Sequence, residues 1–337
     1  REVPTQAAFT AETEDGVIEL TFTFDGSALA GHTVVAFEEL YREDKKVAVH
    51  AVIEDEEQSV YIPEVTTTLK DSTDEEHDAF ATDTITLIDE VKYSNLLVGR
   101  DYTVQGILMD QETGEPALDD EGNEITAQAT FTAETGDGSI DLAFTFSGVT
   151  MAGKSVAAFE TLYREDKKVA VHADIDDEEQ TVHLPKIKTS LKDVIDRQED
   201  VLANDPVTLI DTVTYENLIP GRGYTMKGVL MDQETGEPVL DDEGNVVTAE
   251  TEFTPDEADG SIDVVFTFSG LALEGRTVVA FEDLYRDAKL VAVHADIEDD
   301  SQTVYIPKIR TTLEDTMDNE HDALASETRS EERRVGK

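Results

Sequence analysis

The 337-residue chain contains no cysteine and no tryptophan. The absence of cysteine excludes disulfide bonds and thiolate metal sites. Basic residues are scarce: 26 lysines and arginines accompany 77 aspartates and glutamates, and the formal net charge is -51. Such a charge disfavours binding to nucleic acids and to anionic membranes, so we interpret it as a source of solubility and self-repulsion between surface modules. No apolar run is long enough to span a bilayer, and no signal peptide is recognisable.

The sequence repeats itself with a period of 122 residues, and the segment Val169–Val182 occurs in three copies. This period is too long for a solenoid unit and favours a string of independent domains. It predicts a partial repeat, two complete repeats, the start of a further repeat and a tail, at 1–62, 63–184, 185–306, 307–328 and 329–337. The tail is net basic and matches neither earlier copy. We interpret it as a translated sequencing-adaptor read-through and exclude it from the fold.

Each complete repeat consists of short segments in which apolar and polar residues alternate. Ile140, Leu142, Phe144 and Phe146, for example, share one face of a single segment. Turn signals rich in glycine, asparagine and aspartate follow roughly every ten residues, which gives about seven to nine strands per repeat. The pattern predicts an all-β protein of tandem immunoglobulin-like antiparallel β-sandwich domains.

The alternation predicts one buried glutamine and one buried threonine in each complete repeat. Gln180 shares its face with Val182 and Leu184, and Thr67 shares its face with Val65 and Leu69. The counterparts in the next repeat are Gln302 and Thr189. A buried carboxamide destabilises the fold unless its polar atoms are satisfied. In an immunoglobulin-like sandwich the first and last strands can run side by side, which would place a hydroxyl nucleophile next to an acyl donor.

These motifs together resemble a known family. The three copies of the hairpin region carry Val-Ala-Phe-Glu or Val-Ala-Ala-Phe-Glu, a histidine eight residues before the glutamine and an aspartate three residues before it. The repeat starts carry an Ile-x-Thr-Thr/Ser opening, with Val65 in place of the isoleucine in the first of them. The combination resembles the Thr–Gln ester-bond domains, or VaFE repeats, of Gram-positive surface adhesins. The departures are small: the second copy has Val-Ala-Ala-Phe-Glu, with Ala157 in place of the valine, and Ser190 replaces a threonine.

The resemblance implies an autocatalytic, single-turnover cross-link without a cofactor, so the protein is not expected to be an enzyme. The hydroxyl of Thr67 would attack the side-chain carbonyl of Gln180, expel ammonia and leave an ester, and Thr189 would do the same to Gln302. A protonated pair of carboxyl groups and a histidine would assist each bond. The implied helpers are Glu160, Asp177 and His172 for the first bond and Glu282, Asp299 and His294 for the second.

The orientation of the histidine is left open by the sequence. Strict alternation puts Val169, Val171, Ala173 and Ile175 on the core face, and His172 on the opposite face. A β-bulge would turn the histidine inward, or the histidine would lie at an edge of the sheet.

The partial copies carry only one half of this set. The N-terminal copy contains Glu38, His50, Asp55 and Gln58, and the C-terminal copy contains Thr311. We expect that the two halves do not meet within one molecule and that Gln58 remains an amide.

The resemblance further implies the stalk of an extracellular, cell-wall-anchored adhesin that resists force and proteolysis. Its partners would be neighbouring repeats and a host or surface ligand. The domains that bind this ligand, the secretion signal and the wall anchor would all lie outside this sequence. Two alternatives stay open. The copies of Asp-Asp-Glu-Gly-Asn at Asp119 and Asp241 suggest calcium-stabilised modules, although a hairpin turn explains the same residues. Lys–Asn isopeptide domains share the architecture, but Asn95 and Asn217 lie in turn segments and Lys186 is Glu64 in the preceding copy.

Overall fold

A computed structural model of the chain describes residues 2–315, 319, 321 and 331–336. Within them the regular elements are β-strands and six 3-10 turns of three residues each. The strands are β1 His32–Val35, β2 Glu38–Arg42, β3 Lys45–His50, β4 Ser59–Ile62, β5 Glu64–Asp71, β6 Ile85–Ser94, β7 Asp101–Asp110, β8 Thr126–Thr132, β9 Gly138–Phe146, β10 Lys154–Arg164, β11 Lys167–His172, β12 Thr181–Leu184, β13 Lys186–Asp193, β14 Val207–Glu216, β15 Tyr224–Asp232, β16 Thr248–Phe253, β17 Gly260–Phe268, β18 Arg276–Arg286, β19 Lys289–His294, β20 Thr303–Ile306, β21 Arg310–Asp315 and β22 Glu331–Gly336.

The chain forms two compact units. Unit 1 comprises 1–77, 86–145 and 156–181, and unit 2 comprises 78–85, 146–155 and 182–337. The predicted all-β architecture of antiparallel sheets is confirmed. The repeat boundaries stay a prediction, and much of the predicted third repeat start and tail lies outside the described residues.

The second complete repeat, which lies wholly in unit 2, is a sandwich of two sheets. One sheet has the order β13-β14-β17, and the other has the order β16-β15-β18-β19 with β20 also paired to β18. Apolar residues of both sheets form one fully buried core, which includes Leu191, Leu209, Phe266, Met226, Leu230 and Leu284. Because side chains alternate along a strand, each strand sends every second residue into this core.

The alternation that the sequence predicts for the first and last strands is confirmed. On β13, Thr189 is 7% exposed and shares its buried face with Ile187 and Leu191. Before β20, Gln302 is 0% exposed and shares its buried face with Val304 and Ile306. The two strands belong to different sheets, so they are not hydrogen-bonded neighbours as a single-sheet arrangement would require. They adjoin along an edge of the sandwich.

Unit 1 contains the corresponding strands of the first complete repeat. Its sheets have the orders β5-β6-β9 and β11-β10-β7-β8. Leu69, Leu87, Val104, Leu108, Phe144 and Leu162 are fully or almost fully buried.

The partial copies are far less buried. In the N-terminal copy, β1 pairs with β4 and β2 pairs with β3, while residues 2–26 form no strand or helix. At the other end β21 pairs with β22, and Ile309 and Leu313 are exposed. None of the described helices is long and apolar enough to cross a membrane.

Candidate functional site

A buried hydroxyl–carboxyl contact lies at the centre of the second complete repeat. Thr189 Oγ1 on β13 donates a hydrogen bond to Glu282 Oε2 on β18 at 3.2 Å. Glu282 is 0% exposed and lies directly opposite Gly228 on β15. A Cβ atom at Gly228 would meet the Phe266 ring at 2.5 Å, so the missing side chain allows that ring to pack beside the glutamate.

A second buried carboxyl group, Asp211 on β14, accompanies Glu282. Burial, the negative charge of Asp211 and a hydrogen bond with it raise the pKa of Glu282 to about 11. Burial also raises the pKa of Asp211. Neither Glu282 Oε1 nor Asp211 Oδ2 meets an N–H group, so these two acceptors can bond to each other only when one carries a proton. We assign that proton to Glu282, the group with the more strongly raised pKa.

The side-chain amide of Gln302 lies next to this acid pair. Gln302 ends the 3-10 turn Asp300–Gln302, and Ser301 Oγ of the same turn donates to the backbone oxygen of Thr189 at 3.2 Å. Gln302 Nε2 donates to Asp211 Oδ1 at 3.4 Å. Its Oε1 is buried and receives no hydrogen bond. The site therefore links the threonine hydroxyl, two carboxyl groups and the amide nitrogen in one continuous path.

His294 is turned towards this site by a β-bulge, one of the two orientations that the sequence left open. The register between β18 and β19 shifts at Leu284/Tyr285, so that Leu284 faces Ala292 and Glu282 faces His294. Residues directly opposite on paired strands lie on the same face of the sheet. Val293 is consequently 40% exposed. The strictly alternating core set was therefore wrong, and the same bulge leaves Val171 54% exposed in the first complete repeat.

Asp299 has a different environment from the one expected for a proton-sharing carboxyl group. It caps the 3-10 turn, where it accepts from Ser301 N at 2.8 Å, and it lies 2.8 Å from His294 Nε2. Partial burial acts to raise its pKa, but the hydrogen bonds from Ser301 and His294 outweigh burial and lower it. The expectation that Asp299 shares the proton of Glu282 is corrected, because Asp211 takes that place and Asp299 orients the histidine instead.

The first complete repeat reproduces this arrangement. Thr67 Oγ1 donates to Glu160 Oε2 at 3.1 Å. Burial, followed by the charge of Asp89, raises the pKa of Glu160 to about 10, and burial raises the pKa of Asp89 to about 6. Gln180 is 0% exposed, and neither its Nε2 nor its Oε1 has a hydrogen-bond partner. An unsatisfied buried polar group costs about 1–3 kcal/mol.

His172 bridges the acid pair and the capping aspartate of the first site. Its Nδ1 lies 3.8 Å from Glu160 Oε2, and its Nε2 lies 3.4 Å from Asp177 Oδ2. Asp177 also caps its 3-10 turn by accepting from Glu179 N. The expectation that Asp177 shares the proton of Glu160 is thus corrected in the same way as for Asp299, because Asp89 is the hydrogen-bond partner of Glu160.

Asp89 and Asp211 are the site residues that the sequence prediction missed. Each lies in an alternating segment, Leu87-x-Asp89-x-Val91 and Leu209-x-Asp211-x-Val213, in which its neighbours are fully buried. An aspartate at a core position of a strand, in both copies, was the signal that could have identified them.

In the partial N-terminal copy the histidine–aspartate contact of this set is present. His50 Nε2 lies 2.8 Å from Asp55 Oδ2. Glu38 and Gln58 are half-buried, and Val60 is 60% exposed. In the C-terminal copy Thr311 is exposed.

The residues of the two alternatives occupy turns. Asp119 Oδ1 accepts from Glu121 N at 3.0 Å and from Asn123 N at 2.8 Å, and Asp119 Oδ2 accepts from Asn123 Nδ2 at 3.2 Å. These are the hydrogen bonds of a tight turn. Asn95 and Asn217 both adopt positive φ angles directly after a strand.

Among the comparisons with known proteins, the informative match is to a family, and the similar solved structures are more distant. No curated protein matches the chain. A solved bacterial adhesin from Mobiluncus mulieris, described as containing intramolecular disulfide, isopeptide and ester bond cross-links, is 14% identical and has a TM-score of 0.30, with 80% of this chain and 92% of that chain covered. The C-terminal domain of a Streptococcus pyogenes antigen I/II-family protein is 9% identical and has a TM-score of 0.33, with 72% and 99% covered. A red sea bream transglutaminase is 13% identical and has a TM-score of 0.23, with 72% and 31% covered. These low scores carry no argument about function.

The match to a family covers most of the sequence. The family described as a T-Q ester bond containing domain matches residues 1–62, 63–184 and 185–306. This chain therefore belongs to the family of T-Q ester bond containing domains.

Proposed function

We propose that each complete repeat closes itself with an intramolecular ester, Thr67 to Gln180 and Thr189 to Gln302. The observation that carries this proposal is the continuous buried path from Thr189 Oγ1 through Glu282 and Asp211 to Gln302 Nε2. The threonine must lose a proton and the amide nitrogen must gain one, and the acid pair lies between them.

The reaction balances without a cofactor or external reagent. Thr189 Oγ1 attacks the side-chain carbonyl carbon of Gln302, so that a C–O bond forms and the C–N bond breaks. The hydroxyl proton passes to the carboxyl pair, and a proton of the pair passes to the nitrogen, which leaves as ammonia. The pair is unchanged at the end, but the amide is consumed. Each repeat therefore reacts once.

The burial of the site explains how a threonine hydroxyl, a weak nucleophile, can react with a glutamine amide, a weak acyl donor. Removal from water raises the pKa of Glu282 and keeps a proton available for the leaving nitrogen at neutral pH. The hydroxyl releases its proton to Glu282, which it contacts, while Glu282 passes its own proton to Asp211, which contacts the amide nitrogen. In the first repeat His172 lies near the carboxyl groups, where an imidazole can balance the charge that develops.

Peptide mass spectrometry after proteolysis tests this assignment. We expect a cross-linked pair of peptides that contain Thr189 and Gln302, and a second pair that contain Thr67 and Gln180. Alkaline hydroxylamine should split both pairs, because it cleaves esters and leaves isopeptide amides intact. Linear peptides with intact Gln302 and Gln180, or pairs that resist hydroxylamine, would exclude the ester.

We further propose that the repeats form the stalk of an extracellular, wall-anchored adhesin. An ester from Thr67 to Gln180 would join the first and last parts of a repeat, so a pulling force would pass through the covalent bond and bypass the sandwich. The absence of cysteine supports this role, since the cross-link requires no oxidising environment. The strong negative charge keeps such modules soluble.

Single-molecule force spectroscopy tests the stalk role. We expect no unfolding extension from either complete repeat of the natural chain. Thr67→Ala should release the extension of the first repeat alone. A natural chain that extends as far as the variant would show that the repeats do not resist force.

A further inference from the structure

The junctions between repeats contain polar side chains that the ester chemistry does not use. β12 ends at Leu184 and β13 begins at Lys186, so a single proline separates the last strand of one repeat from the first strand of the next. The same holds for Ile62 and Glu64 at the preceding junction. Proline has a fixed φ angle and restricts the residue before it, so the ends of successive repeats cannot move far apart.

Asn217 ties the two sides of one junction together. It follows β14 of the later repeat and has a φ angle of +63°. Its Nδ2 donates to the backbone oxygen of Lys154 at 2.5 Å, and its Oδ1 accepts from Ser155 Oγ at 2.8 Å. Lys154 and Ser155 begin β10 of the earlier repeat. The backbone N–H of Asn217 is held by Asp259 Oδ1 at 2.9 Å.

The preceding junction has a related clasp, in which the hydroxyl contact to the asparagine Oδ1 recurs and the acceptor of Nδ2 differs. Asn95 has a φ angle of +59°, and its backbone N–H bonds to Asp137 Oδ1 at 2.9 Å. Thr33 Oγ1 donates to Asn95 Oδ1 at 2.9 Å, and Asn95 Nδ2 donates to the backbone oxygen of Ile62 at 3.3 Å. Because the contact occurs at both junctions, it belongs to the repeat and not to one copy.

A glycine before each clasp permits the close approach. Gly153 has a φ angle of +85°, and a Cβ atom there would lie 3.0 Å from Glu216 Oε2 of the later repeat. Gly31 has a φ angle of +74°, and its Cβ atom would lie 2.8 Å from Glu64 Oε2. A side chain at either position would be both strained and crowded.

An ion pair within unit 2 adds a second contact. Asp78, of the earlier repeat, is 0% exposed and receives hydrogen bonds from Arg286 Nε at 2.5 Å and Nη2 at 2.6 Å. Lys289 Nζ donates to the backbone oxygen of Asp78 at 2.7 Å. Arg286 and Lys289 flank the turn between β18 and β19 of the later repeat. Two parallel N–H bonds to one carboxylate give this contact a defined geometry.

The same chain contains an undocked copy of this surface. Asp200 corresponds to Asp78 and is exposed. Both segments form the same backbone contact, from Ala79 N to His183 O and from Val201 N to Tyr305 O, each at 2.8 Å. The two surfaces therefore share this backbone contact and differ in the presence of a following hairpin.

We propose that the end of each repeat is a docking surface for the next repeat of the same chain. In the second complete repeat, Asp200 and Thr277 would receive an arginine–lysine hairpin and an asparagine from the repeat that follows residue 306. Thr277 corresponds to Ser155 and Thr33 in the two observed clasps. Successive repeats then stabilise each other as nearest neighbours, in contrast to the independent domains that the period favours.

Hydrogen exchange of the full chain tests this proposal by comparing the two copies of the surface. In the natural chain we expect higher protection of the Ala79 amide than of the Val201 amide, after correction for intrinsic rates. Arg286→Ala should lower the protection of Ala79 by about tenfold or more, because it leaves the Asp78 charge buried with a lost partner. The protection of the Val201 amide should not change. Equal protection of the two amides in the natural chain would overturn the proposal.

Matched variants guard against a general loss of stability. Arg164→Ala alters the counterpart of Arg286 in the preceding repeat and should leave Ala79 and Val201 unchanged. Asn217→Ala removes the other contact and should also lower the protection of Ala79. Retained protection of the core-strand amides in both complete repeats shows that each variant has folded. If Arg164→Ala lowers the protection of Ala79 as much as Arg286→Ala does, docking through Arg286 is excluded.

Discussion

The same hairpin occurs in the partial N-terminal copy and in the second complete repeat, with different surroundings. His50 and Asp55 are 2.8 Å apart, as are His294 and Asp299, and both hairpins have the same bulge. Val60, however, is 60% exposed, whereas its counterpart Val304 is fully buried.

The comparison separates what the hairpin forms locally from what the whole sandwich supplies. The histidine–aspartate contact joins residues five positions apart and requires only the hairpin. The acid pair requires Asp211 on β14, and the nucleophile Thr189 lies on β13. Burial of the site, which raises the pKa of Glu282, also depends on these strands. The proposed reaction therefore depends on the complete repeat.

Removing the nucleophile of one complete repeat should have the largest effect. Thr189→Ala should abolish one ester and lower the free energy of unfolding of that repeat by about 4–5 kcal/mol, by analogy with a disulfide that closes a loop of similar length. Intact mass and denaturant unfolding measure the two effects. Thr311→Ala, at the corresponding position of the C-terminal partial copy, is the matched control and should change neither. A Thr189→Ala chain that keeps both bonds would assign the nucleophile elsewhere.

The two aspartates of the second site should differ in their contribution to the rate. Asp211→Asn should slow bond formation by roughly 10²–10⁴-fold, as expected for a lost general base. Asp299→Asn should slow it less, since Asp299 contacts the histidine and not the acid pair. Refolding of unreacted chain collected in denaturant, followed by timed mass analysis, gives both rates. Equal effects of the two substitutions would return the proton-sharing role to Asp299.

The sequence predicts this site where alternation is regular. Thr189 lies on a strand without a bulge and Gln302 directly precedes one, so their faces follow from their apolar neighbours. The bulge at Val169 and Val291 is not visible as a break in alternation, because valine occupies both faces of those strands. The orientation of His172 and His294 therefore required the structure.

The role of Asp211 was missed for a different reason. Its position in the core could be read from Leu209 and Val213, but its partner Glu282 lies in the other sheet and far away in sequence. Only the packing of the two sheets brings these carboxyl groups together. The capping position of Asp299 and the pairing of strands β13 and β20 with different neighbours likewise depend on the assembled sandwich.

The pH dependence of bond formation in the first repeat should show two limits. Burial raises the pKa of Asp89 to about 6, so below that pH both carboxyl groups of the pair are protonated and the pair cannot take up the hydroxyl proton. The pKa of Glu160 is raised to about 10, so above that pH Glu160 has no proton for the leaving nitrogen. We expect the rate to fall by about tenfold per pH unit outside these limits. A rate that rises steadily with hydroxide concentration beyond the upper limit would contradict this mechanism.

Substitution of the partial copy should have the smallest effect. Gln58→Ala should leave the mass deficit of the chain unchanged. Residues 1–62 contain no counterparts of β13 and β14, and therefore no residues equivalent to Thr189 and Asp211. Gln302→Ala, the same change in a complete repeat, should remove one ester. Loss of a bond in the Gln58→Ala chain would show that Gln58 reacts and that the assumed repeat register is wrong.

The intact mass of the purified natural chain tests the central claim most directly. If both complete repeats close themselves, the chain weighs less than its sequence by two molecules of ammonia. A mass equal to that of the sequence, measured on folded chain, would show that the buried threonines and glutamines do not react.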